Sequence, residues 1–87
     1  MTRLVYHRDF VKRAQRLPDT QQRKLARLLV LLTEDPHSAQ LHGKRLSPPL
    51  MGLFSFRISR DWRVVFQFFD EETILLVDVA HRKDIYR

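Results

Sequence analysis

The chain has no cysteine, only two glycines and one tryptophan, and no long hydrophobic run. Each scarcity excludes something. Without cysteine there is no disulfide, no thiolate nucleophile and no cysteine-ligated zinc, and a reducing cytoplasm suits such a chain. A membrane-crossing helix needs about 18 or more consecutive apolar residues, so no membrane association is expected. The opening stretch MTRLVYHRDF carries no signal-peptide core. His7, His37 and His42 are scattered without metal-ligand spacing and read as surface residues. Neither a metal site nor a cofactor is expected.

Acid is scarce as well. Ten acidic residues face 16 basic ones, a formal charge of +6, and twelve of the basic residues are arginine. Basic side chains gain by releasing counterions from phosphates. Arginine adds a planar fork that meets phosphate oxygens two at a time. A polyanionic partner is therefore expected, either nucleic acid or an acidic protein. At 87 residues the chain is one domain, 1–87. Its core must be small, which favours a stabilising partner.

What is present reads as an ordered series of elements. Alternation in RLVY predicts a strand over Arg3–Tyr6. Phe10, Ala14 and Leu17 fall at helical spacing, with Asp9 as the expected cap and Pro18 as the stop. A second helix follows in DTQQRKLARLLVLLTEDP, where Leu25, Leu28, Leu29 and Leu32 form one stripe. Asp19 and Gln22 resemble a capping box there. Pro36, Gly43, Pro48, Pro49 and Gly52 keep most of the next connection irregular. Three strands close the chain, at about Leu53–Ser59, Trp62–Phe69 and Thr73–His81, joined by short turns that imply an antiparallel meander. The expected fold is α+β, in the order β-α-α-β-β-β. It has a small, mostly antiparallel sheet with a helical hairpin on one face and the other face open.

Strand parity then sorts the side chains. Phe54, Phe56 and Ile58, and Val64, Phe66 and Phe68, read as core. Arg57 and Arg63 then share the open face. In the last strand Leu75, Val77 and Val79 read as core, with Ile74, Leu76, Asp78 and Ala80 facing outward and Arg82 next in phase. The bland alternative is that these arginines pair with acids such as Asp78 and only solubilise the sheet. Three in phase on adjacent strands favour an anion-binding surface.

The segment GLFSFRISRDWRVVFQF and the closing VAHRKDIYR resemble the RelE/ParE superfamily of toxins from type II toxin–antitoxin modules. The resemblance extends over nearly the whole chain. Members similar to RelE and YoeB cleave messenger RNA in the ribosomal A site without a metal: the 2′-hydroxyl attacks the adjacent phosphate and the 5′-oxygen leaves. Such chemistry requires a base, cations for the developing charge, and an acid. The resemblance implies that Arg57 and Arg63 stabilise the phosphate and that His81, Arg82 and Tyr86 complete the catalytic set. Tyr86 would orient or stack on a base. Lys44, Arg45, Arg60 and Lys83 would add RNA contacts. Some YoeB-like members carry a glutamate base before the meander, where Lys44 and Arg45 stand here, so base and acid remain open among His81, Tyr86 and Lys44. By strict parity His81 falls on the core side and reaches the site only through a bend.

The resemblance further implies a cognate antitoxin, the ribosome with its messenger as target, and operator DNA bound only through the antitoxin complex. Two other readings stand beside it: a ParE-like inhibitor of DNA gyrase on the same fold, and an RNA-binding module without chemistry.

Overall fold

The computed structural model describes residues 2–46 and 52–85. Strand β1 (Arg3–Tyr6) leads into helix α1 (Arg8–Ala14) and helix α2 (Asp19–Glu34). A 3₁₀ turn (Ala39–Leu41) precedes the two-residue strand β2 (Lys44–Arg45). The meander follows as β3 (Phe54–Arg57), β4 (Trp62–Asp70) and β5 (Thr73–His81), and a short helix α3 (Arg82–Ile85) succeeds it. The five strands form one sheet in the order β1-β5-β4-β3-β2. Among the described residues only the β1–β5 pair is parallel. The expected α+β order holds. The sequence reading missed β2 and α3, because two residues of a strand and one turn of helix carry no periodicity.

The helix starts differ from expectation. His7, not Asp9, caps α1: its Nδ1 accepts the Asp9 N–H at 3.0 Å. Asp9 lies inside the first turn, where its charge suits the helix dipole. No side chain caps α2, which begins after Pro18. Gln22 makes no capping box with Asp19. Its Nε2 instead donates to the carbonyls of Leu17 (2.7 Å) and Gln15 (3.0 Å), tying α2 to the end of α1.

Both helices bury their apolar stripes on one face of the sheet. Phe10, Leu17, Leu25, Leu32 and Leu41 meet Phe56, Ile58, Val64, Phe66, Ile74, Leu76 and Val79 in a single core. Leu28, Leu29 and Ala14 pack at its margin.

Strand β5 departs from simple alternation. Val65 pairs with Asp78, yet its neighbour Phe66 pairs with Leu76, so Val77 is an extra residue. A bulge of this kind flips every side chain beyond it. Ile74 and Leu76 are therefore wholly buried, while Leu75 and Val77 lie half-buried on the opposite side. This reverses the parity expected for those four residues and leaves Val79, Asp78 and Ala80 as expected. A second shift bypasses Phe69, which is largely exposed. In the following turn the Glu72 N–H donates to Asp70 at 2.9 Å, and this bond is the main cause of a carboxyl pKa below the usual value.

Deleting a buried side chain leaves a cavity that the neighbours only partly fill. Leu76→Ala is expected to cost roughly 2–5 kcal/mol in urea unfolding, whereas Leu75→Ala costs about 1 kcal/mol. Equal costs would place the bulge elsewhere.

Candidate functional site

Opposite the helices, the sheet carries a groove of about 490 Å³ lined by His42, Lys44, Ser55, Arg57, Arg63, Arg82 and Lys83. Four elements build it. Lys44 of β2 sits opposite Ser55 of β3, whose side chain is buried. Arg57 of β3 sits directly opposite Arg63 of β4. The Arg82 backbone N–H bonds to the Asp61 carbonyl at 2.7 Å, fixing the start of α3 beside the β3–β4 turn.

Arg63 is nearly buried, and its Nη1 donates to the Ser59 carbonyl at 3.0 Å. Arg57 is exposed. Among the described residues neither makes an ion pair. Like charges directly opposite on paired strands repel, and among the described residues that line this groove none is a carboxylate. Asp78, the acid expected to neutralise the sheet arginines, is engaged elsewhere: Arg13 of α1 donates to its Oδ2 at 3.1 Å. Arg82 has only a long contact to Asp61, 3.9 Å. Arg57 and Arg63 are thus left without a carboxylate partner among the described residues.

The structure brings together Arg57, Arg63, Arg82, Lys44 and Lys83 among the expected site residues. Arg45 pairs with Phe54 on the helix side, its guanidinium 5.8 Å from that ring, and does not line the groove. Arg60 is exposed in the β3–β4 turn and does not line it either. Adjacent residues of a strand point to opposite faces, which separates Lys44 from Arg45.

His81 also lies apart. β5 stays paired to its last residue, His81 opposite Trp62, and the two rings meet edge-on at 5.4 Å. It lines a hollow with Arg13, Arg16 and Leu17 on the helix side. Its Nδ1 accepts the Lys83 N–H at 3.3 Å, so no bend carries it into the groove. Tyr86 lies outside the described residues. His42, read from the sequence as surface, is exposed and also lines the groove. No local periodicity marked it, because it sits in a left-handed turn ahead of the two-residue strand β2. Among the described residues no cluster of three His, Asp or Glu side chains is disposed to hold a metal ion.

The fold is that of the RelE/ParE superfamily of toxins. YafQ from Escherichia coli shares it at 20% identity and a TM-score of 0.76, with all of both chains covered. A YoeB/ParE toxin from Agrobacterium tumefaciens does so at 16% identity and 0.79, covering 93% of this chain and 99% of that one. The archaeal RelE–RelB complex from Pyrococcus horikoshii gives 23% identity and 0.74, over 93% and 94% of the two chains. Residues 4–86 match the model for the ParE toxin of the type II toxin–antitoxin system parDE, and the chain belongs to that family. No curated protein matches it.

Relieving the repulsion of the arginine pair should stabilise the empty protein. Arg57→Gln is expected to gain roughly 0.2–1 kcal/mol in thermal unfolding at low salt. Added polyphosphate should then stabilise the parent protein more than the variant. A variant stabilised equally would exclude Arg57 from the anion site.

Proposed function

We propose that this toxin is an endoribonuclease that cuts messenger RNA, in the ribosomal A site, through attack of a 2′-hydroxyl on the adjacent phosphodiester. The observation that carries the reading is the registered pair Arg57 and Arg63, in a groove that they line with Lys44, Arg82 and Lys83. A groove of fixed cations stabilises the charge that develops on a pentacoordinate phosphorus. It costs little reorganisation, because Arg63 is already held by the Ser59 carbonyl. In this reading Arg57 and Arg63 grip the non-bridging oxygens, and Arg82 lies at the α3 end of the groove. Lys44 and Lys83 draw in the flanking phosphates, and Tyr86 stacks on a base. His81 acts indirectly, by accepting the Lys83 N–H that shapes the start of α3.

The toxin acts in the cytoplasm with the ribosome and messenger as its target. A cognate antitoxin of acidic character holds it in check, and the pair reaches operator DNA through the antitoxin. The RelE–RelB complex, whose toxin has this fold, supports such a partner. Among the described residues no helix is long and apolar enough to cross a membrane.

The ParE description of the matching family favours a second reading, inhibition of DNA gyrase on the same fold. One experiment separates the two. In a purified translation reaction, with messenger 5′ ends mapped by primer extension, the toxin is expected to produce discrete cuts within codons, only in the presence of ribosomes. Arg63→Ala is expected to lower cutting by roughly 10²–10³-fold while still binding antitoxin. Arg57→Lys should also be impaired, since lysine lacks the bidentate fork. An intact messenger together with inhibited gyrase supercoiling would replace the first reading with the second.

A further inference from the structure

We propose that His42 is the general base of the groove, taking the proton from the attacking 2′-hydroxyl; this rests on the RNA-cleaving reading above. Among the described residues, the groove-lining side chains other than His42 and Ser55 are guanidinium or ammonium groups, which carry donors and no acceptor. The Ser55 side chain is buried. Among the described residues that line the groove, His42 alone carries an imidazole, the group whose ordinary titration range suits proton transfer near neutral pH.

The backbone supports the assignment independently. His42 adopts φ 50° and ψ 46°, the left-handed region, where it ends the 3₁₀ turn through its N–H to the Ala39 carbonyl at 3.1 Å. Among the described residues it is the one non-glycine with positive φ. Glycine is the usual occupant of such a cap, and Gly43 stands one position later without taking it. Non-glycine residues held in this region cluster at functional sites. The Ser38 hydroxyl accepts the Gln40 N–H at 3.2 Å and holds the start of the same turn, so the imidazole is delivered by a locally fixed segment. Lys44 of β2, Arg57 of β3, Arg63 of β4, and Arg82 and Lys83 of α3 line the same groove.

The step balances without further reagents. The unprotonated ring nitrogen takes the 2′-hydroxyl proton as the O2′–P bond forms and the P–O5′ bond breaks. The 5′-oxygen takes a proton from water, and the hydroxide so formed takes back the proton held by His42, leaving a 2′,3′-cyclic phosphate, a 5′-hydroxyl and the free imidazole.

Glycine fits the left-handed conformation without steric cost, so His42→Gly removes the imidazole and keeps the turn. His42→Asn is a second variant that tolerates the same backbone. In the ribosomal cleavage reaction both are expected to bind antitoxin, and messenger carrying a 2′-deoxy residue at the cut site, as the parent does. Both should cut roughly 10²–10⁴-fold more slowly. Added imidazole should restore cutting by His42→Gly but not by Arg63→Ala. Cutting by His42→Gly at the parent rate would overturn the assignment. So would a loss that imidazole leaves untouched while the pH profile stays that of the parent, which would make His42 a positioning residue. If the parent itself leaves the messenger intact, the RNA-cleaving reading fails first and this assignment falls with it.

Discussion

The pairing of β4 with β5, and the single extra residue Val77, set both the core and the groove. Strand side chains alternate, so a regular β5 could serve only one phase. With Ile74 and Leu76 in the core, strict alternation would turn Asp78, Ala80 and Arg82 inward and leave Val79 outside. The bulge resets the phase midway. Ile74 and Leu76 remain buried upstream, Val79 is buried downstream, and Arg82 reaches the groove. The same reset turns His81 towards Trp62 and the helices. Bulges occur where a sheet must re-aim side chains next to a site, and this one serves both faces at once.

The groove's electrostatics follow from where its potential counter-charges go. Asp78 is drawn away by Arg13 of α1, and Asp61 makes a long contact with Arg82. Arg57 and Arg63 thus face each other across paired strands without an acid between them. Such an arrangement works against stability and favours an anionic ligand. A surface arginine with a nearby carboxylate would need no such explanation, because exposed ion pairs contribute little. The nearly buried stem of Arg63, held by a main-chain carbonyl, adds rigidity that a solubilising residue does not require.

Fold and target are separate matters in this superfamily. The sheet and helices common to YafQ, the YoeB/ParE toxin and the RelE–RelB complex supply a scaffold, and function resides in the groups placed on it. Here the groove is lined by cations from four elements and by one imidazole from the turn before β2. Their chemistry suits a phosphodiester, and the structures that share the fold include toxin–antitoxin complexes.

By itself the sequence determined the order of β1, α1, α2 and the three-strand meander, the strand bounds of β1 and β5, and the stripe of Leu25 and Leu32. These depend on local periodicity and on Pro18 and Pro36 as stops. It also determined that Arg57 and Arg63 share a face, because β3 and β4 pair in unbroken alternation there. Only the tertiary structure decided the phase of β5, since a one-residue bulge has no signature in composition. It also separated Lys44 from Arg45, because two residues of β2 become a strand only by pairing with β3. And it brought His42 to the groove: the left-handed turn that delivers it depends on where the 3₁₀ segment ends against the sheet, a long-range constraint that local sequence does not encode.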